Sequence, residues 1–123
     1  MRWLVHGTNT TAAIAEALKR HEHTVADPAA LGLPAATDPR AVLEGAKKEQ
    51  LDVLTTDPAL AQWTFDEDFW FNRSIVFLQL EGGDVEQDDA VDRLFARYKR
   101  LTPGRLYTVT GSRVKVRQLP SKK

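Results

Sequence analysis

The stretch Ser74-Ile75-Val76-Phe77-Leu78-Gln79-Leu80 constrains the fold more than any other part of this chain. Its apolar residues run almost without a break instead of alternating, so both faces of an extended segment here must be buried. A strand buried on both faces belongs in a parallel sheet with helices packed against it. The rest of the chain supplies matching parts. Residues 2–5, 24–26 and 53–55 are further short strands, and residues 27–36, rich in Pro, Gly and Ala, form a loop. A first helix, capped by Thr8 or Asn9, sets Ile14, Ala17, Leu18 and His21 on one face. A second runs from Asp38 to about residue 49 and packs through Ala41, Val42, Gly45 and Ala46. A short third opens at Asp57 and reaches about Gln62; residues 63–72 show no clean period.

The fourth and longest helix repeats Val91, Leu94, Phe95, Tyr98 and Leu101 at helical spacing. Asp84, Glu86, Asp88 and Asp89 lie near its positive end, Lys99 and Arg100 near its negative end, and Pro103-Gly104 stops it. Residues 106–110 and 114–119 close the chain as a hairpin around Gly111-Ser112. The expected fold is α/β: a three-layer sandwich with a mainly parallel central sheet, helices on both faces and a terminal β-hairpin. One domain covers residues 1–120, with a basic tail at 121–123.

Two tripeptides, Thr37-Asp38-Pro39 and Thr56-Asp57-Pro58, open the second and third helices. Asp caps free amides and Pro is pre-set for the first helical position, each cap contributing about 1 kcal/mol. In an open α/β sheet, ligands bind beyond the carboxyl ends of the strands. His6, Asp57 and Glu81 follow strands there, and Asp38 joins them if the preceding loop folds back over the sheet. Carboxylates and an imidazole on one rim can hold a divalent cation, with imidazole moving the preference from Mg²⁺ toward Mn²⁺ or Zn²⁺. Capping alone and capping with metal binding both remain open on these residues.

The chain has 123 residues and no cysteine, which excludes disulfides and thiolate metal sites and fits a reducing cytoplasm. The first residues lack a signal-peptide pattern, and no apolar run reaches the roughly 20 residues of a membrane span. Net charge is zero, yet residues 1–83 carry 7 basic and 12 acidic side chains, and residues 84–123 carry 10 and 5. An anionic partner and a merely solvated helix face both accommodate that asymmetry.

The order of these pieces resembles the PIN (PilT N-terminus) nuclease superfamily, in its short PIN-like branch of bacterial toxin–antitoxin modules. Residues 1–5 resemble its first strand, and His23-Thr24-Val25 its His-x-Val start of the second. Asp38 falls at the acid opening the second helix, and Val53-Leu54-Thr55-Thr56-Asp57 resembles the strand ending in Thr-x-Asp. Residues 74–80 and 113–120 resemble the Val/Leu-rich strand and the basic closing strand. The resemblance implies a Mg²⁺- or Mn²⁺-dependent endoribonuclease acting on single-stranded RNA. Asp38 and Asp57 would hold the metal, with His6 as a ligand or general base. Two positions depart from the pattern: His6 stands where the first strand usually runs into Asp, and Ala59 where a second Asp follows the third strand. Asp66, Glu67, Asp68 or Glu81 could compensate. The expectation is therefore an endoribonuclease of the toxin type with an incomplete acidic cluster and weakened activity. The alternative is a catalytically inactive PIN-like module, needing no cofactor, that binds a protein partner or RNA. A phospho-acceptor receiver is excluded, because no acidic pair follows the first strand.

Three further groups carry expectations. Trp63, Phe65, Phe69, Trp70 and Phe71 lie among acidic residues, which disfavours stacking on bases and favours an interface with a second copy or an antitoxin-like protein. Arg113, Lys115 and Arg117 alternate, so they share one strand face and either contact a phosphate backbone or keep an edge strand soluble. His21-Glu22-His23 joins a helix end to a strand, so its side chains need not converge on a metal.

Overall fold

The computed structural model describes residues 2–7, 10–26 and 38–120. The capping candidates Thr8 and Asn9, the expected loop at 27–36, Thr37 and the tail at 121–123 lie outside the described residues. The chain runs β1 (Arg2–His6), α1 (Ala12–Arg20), β2 (Thr24–Val25), α2 (Pro39–Glu49) and β3 (Asp52–Thr55). It continues through α3 (Pro58–Asp66), β4 (Ile75–Leu78), α4 (Asp84–Arg97), β5 (Arg105–Val109) and β6 (Val114–Gln118). The six strands form one sheet in the order β2-β1-β3-β4-β5-β6. All neighbours are parallel except β5 and β6, which are antiparallel. The fold is α/β, and the continuous apolar run at 75–78 is fully buried near the middle of the sheet.

Side chains alternate across the sheet, so each strand feeds two cores. Trp3, Leu54, Val76, Leu78, Tyr107 and Val109 pack with Ile14 and Leu18 of α1 and Val91, Leu94 and Phe95 of α4. Leu4, Val53, Ile75, Phe77 and Leu106 pack with Val42, Leu43 and Ala46 of α2 and Leu60 and Ala61 of α3. The packing face of α2 is therefore turned from the expected one: Leu43 is buried, whereas Ala41 and Gly45 are only partly so.

Three helix boundaries differ from expectation. Helix α1 begins at Ala12, where Thr11 is the cap and its hydroxyl accepts from the Ala13 amide at 3.3 Å. Helix α3 continues past Gln62 to Asp66, because Thr64 turns inward and its hydroxyl donates to the Ala61 carbonyl at 2.8 Å. A hydroxyl bonded to its own helix can be buried among apolar neighbours. Helix α4 ends at Arg97, so Lys99 and Arg100 lie beyond it and do not sit in its last turn. Tyr98 and Leu101 still pack on the core, but from irregular backbone.

At the amino ends of the strands, Asp52 is 1% exposed. Its carboxylate accepts from the Ser74 amide at 2.8 Å and from Arg73 Nη2 at 3.1 Å, which compensates the buried charge. The His21-Glu22-His23 segment is likewise structural. Trp3 Nε1 donates to His23 Nδ1 at 3.0 Å, His21 Nε2 lies 2.8 Å from Asp92 Oδ1, and Phe95 packs against both imidazoles. Burial pushes the His23 imidazole below its ordinary value, consistent with a neutral ring accepting from the indole.

Candidate functional site

The strands β1 and β3 end side by side, with His6 paired to Thr55. Just beyond, Gly7 adopts φ +124°, and a Cβ there would overlap Thr56 Oγ1 and come within 3.2 Å of the Thr56 nitrogen. The exit of β1 is thus pressed against the exit of β3, and the Thr56 amide donates to the His6 carbonyl at 3.2 Å. Glycine is needed because it alone lacks the Cβ that would collide.

The Thr55 hydroxyl joins the site's two chemically useful residues. It accepts from the Asp57 amide at 3.0 Å and lies 2.9 Å from His6 Nδ1. With one lone pair holding that amide, the hydroxyl can donate to Nδ1 or accept from it, so either imidazole tautomer satisfies the pair. His6 is pushed below its ordinary value by burial, and the opposing pull of the Asp57 carboxylate is the smaller effect. A neutral imidazole beside a carboxylate can act as a base or as a soft-to-borderline metal ligand.

The carboxylates are also spoken for. Asp57 Oδ1 accepts from the Ala59 amide at 2.9 Å and caps α3, while Asp38 Oδ1 accepts from the Arg40 amide at 3.2 Å and caps α2. Both tripeptides therefore perform the capping that their sequence requires. Asp66 lies at the opposite end of α3 from Asp57, about 13 Å away at 1.5 Å per residue. It accepts there from Gln62, so it does not compensate for Ala59 at this rim. Glu81 is exposed and lines a separate cavity of about 370 Å³ with Thr56, Leu78 and Gln87. Buried Gln87 accepts there from both the amide and the hydroxyl of Thr11, tying α4 to the start of α1.

Among the described residues no group of three or more His, Cys, Asp or Glu is arranged to hold a metal ion. His6 Nδ1 and the Asp57 amide meet at the Thr55 hydroxyl, the Asp57 carboxylate caps α3, and Asp38 caps a different helix. The rim as described thus offers one carboxylate and one imidazole, fewer protein oxygens than an acidic cluster of several carboxylates would supply.

The basic strand differs in one respect from expectation. Arg113 precedes β6 and closes the hairpin turn, where its amide donates to Thr110 Oγ1 at 3.1 Å. Lys115 and Arg117 do share a face and are exposed. The aromatic segment does not form one surface. Phe71 is 0% exposed and belongs to the core, which removes it from any interface. Trp63, Phe65 and Phe69 pack partly buried against the same core, and Trp70 is 37% exposed with Lys47 Nζ 4.3 Å from its ring centroid. No helix among the described residues is long and apolar enough to cross a membrane.

A scan against protein-family models, a search of curated proteins and a search of solved structures each found no match to this chain.

Proposed function

We propose that this chain is a PIN-like domain, a three-layer sandwich built like a metal-dependent endoribonuclease whose acidic cluster is incomplete and whose hydrolytic capacity is largely lost. It then serves as a module that binds single-stranded RNA or a protein partner. The observation that carries this reading is the His6 imidazole, 2.9 Å from the Thr55 hydroxyl, at the position where the PIN pattern has a carboxylate. A neutral ring adds no negative charge beside Asp57, and a dication at a phosphodiester depends on that charge.

A second reading, hydrolysis supported by Mn²⁺, draws on the same pair, because imidazole beside carboxylate suits Mn²⁺ better than Mg²⁺. One assay separates the two. RNA cleavage with Mn²⁺ is measured for the native protein, Asp57→Asn and His6→Asp. Weak or absent native cleavage that His6→Asp raises supports the proposal. Robust native cleavage abolished by Asp57→Asn refutes it in favour of the second reading.

A further inference from the structure

A groove of about 790 Å³ opens between α3 and the neighbouring face of β4, β5 and β6, and His6, Thr55 and Asp57 are not among the residues that line it. Phe65 of α3, Phe77 of β4 and Leu106 of β5 give it an apolar lining, and Lys115 and Arg117 of β6 stand on its outer side. Registered neighbours point to the same face, and Thr108 is opposite Lys115 as Leu106 is opposite Arg117. Both cations therefore face the groove together. Among the described residues no Asp or Glu lines it. Among the described residues neither Lys115 nor Arg117 is in an ion pair, and the Arg117 guanidinium lies instead 3.7 Å from the Phe65 ring centroid.

The strand carrying these cations is the last in the sheet, with residues 115–118 exposed. The Thr110 amide donates to the Arg113 carbonyl and the Leu119 amide to the Gly104 carbonyl. Those two bonds fix the phase of the antiparallel ladder: odd-numbered residues of β6 turn their backbone groups toward β5. Val116 and Gln118 consequently turn theirs outward, to an edge able to accept another strand.

We infer that this edge and groove bind an extended acidic peptide segment of a protein partner, by strand addition to β6. A strand laid on the edge repeats its side chains with the same two-residue period, so alternate carboxylates meet Lys115 and Arg117 about 7 Å apart. Apolar residues of the incoming strand would pack on Val116, which is 38% exposed on the other face. A second copy of β6 is a poor occupant, because antiparallel pairing about Val116 sets Lys115 against Arg117, and like charges directly opposite repel. Single-stranded RNA is also disfavoured, because bases need open aromatic faces. Phe77 is 9% exposed and Phe65 is covered by Arg117. The inference does not depend on whether the His6 rim cleaves RNA.

The test uses the whole protein and three labelled probes: a short peptide of alternating Glu and Val, the same peptide with Gln for Glu, and a single-stranded oligouridylate. Binding is followed by fluorescence anisotropy, and the bound site by amide chemical shifts. The Glu peptide is expected to bind and to shift residues 114–118. The Gln peptide, and the Glu peptide against a Lys115→Glu plus Arg117→Glu variant, should each bind at least roughly tenfold more weakly. Lys19→Glu, exposed on α1 against the opposite face and far end of the sheet, should bind the Glu peptide within about twofold of the native protein. Failure of the Glu peptide to bind, indifference to the double reversal, or binding of the oligouridylate alone would each overturn the inference. Circular dichroism of the double variant, whose substitutions are both exposed, separates lost binding from lost folding.

Discussion

Replacing Gly7 by alanine is expected to destabilise the protein by about 3 kcal/mol, from two separable causes. The first is backbone strain. At φ +124° an L side chain is held in a sparsely populated region, at a cost of about 1–3 kcal/mol. The second is collision: the new Cβ overlaps Thr56 Oγ1 and approaches the Thr56 nitrogen to 3.2 Å, and overpacking of this kind costs about 1–3 kcal/mol. Thr56→Ala removes the hydroxyl from the path but leaves both the backbone nitrogen and the φ angle unchanged. In urea, with a slope of about 2 kcal/mol per M, Gly7→Ala should lower the midpoint by about 1.5 M. Adding Thr56→Ala should recover about 1 kcal/mol of that loss, giving a coupling energy of the size seen between contacting residues. The reasoning fails if Gly7→Ala changes stability by less than about 0.5 kcal/mol. It fails equally if the double variant returns to the stability of Thr56→Ala alone, since the φ angle would then cost nothing.

Three other outcomes are expected. His6 and His23 are both pushed below the ordinary imidazole value of 6.5 by burial. Above that value neither state of the protein binds the proton; below it the unfolded chain binds more. Stability should therefore be complete above about pH 6.5 and fall as pH drops through the lowered folded values, by at most about 1.4 kcal/mol per pH unit per histidine. His23→Gln, which keeps an acceptor for the Trp3 indole, should flatten the slope below about pH 6.5, and an unchanged slope would remove His23 from the account. Arg73→Met leaves the buried Asp52 carboxylate without its cation and should cost about 3–5 kcal/mol by chemical denaturation; a loss below about 1 kcal/mol would mean that the Ser74 amide alone suffices. Asp38→Ala and Asp57→Ala should each cost about 1 kcal/mol as lost caps, and a thermal melt unmoved by either would contradict the capping geometry.

What the sequence made legible follows from how local each signal is. Strand β4 declares itself because Ile75, Val76, Phe77 and Leu78 are apolar in succession, and both caps are legible because Asp-Pro states its preference within two residues. From sequence α3 reads as ending near Gln62, because Trp63 and Phe65 break the polar–apolar period and Thr64 resembles a surface residue until its bond to Ala61 is seen. Helix α4 reads as longer than it is for the opposite reason: Tyr98 and Leu101 keep the apolar spacing after the hydrogen-bond ladder has ended. The hydroxyl at the centre of the rim carries no local sequence signal. Thr55 lies 49 positions from His6, and only the register of two strands brings them together. Asp52 gives no such signal either, because a carboxylate in a short strand looks solvent-facing until Arg73, 21 positions on, folds back to it.

The sheet order also sets the tempo of assembly. Each parallel pairing joins strands separated by at least one helix, so it must close a long loop before any ladder bond forms, whereas β5 and β6 meet across a short turn. A hairpin of that kind forms in about 1–10 μs, while parallel sheets are intrinsically slow to assemble. The β5–β6 ribbon is therefore available as a template while the strands that must dock beside it are still searching. Its β4-facing edge needs to be filled from within the chain, and its opposite edge carries Lys115 and Arg117, charges of the kind that keep a waiting edge from capturing another copy.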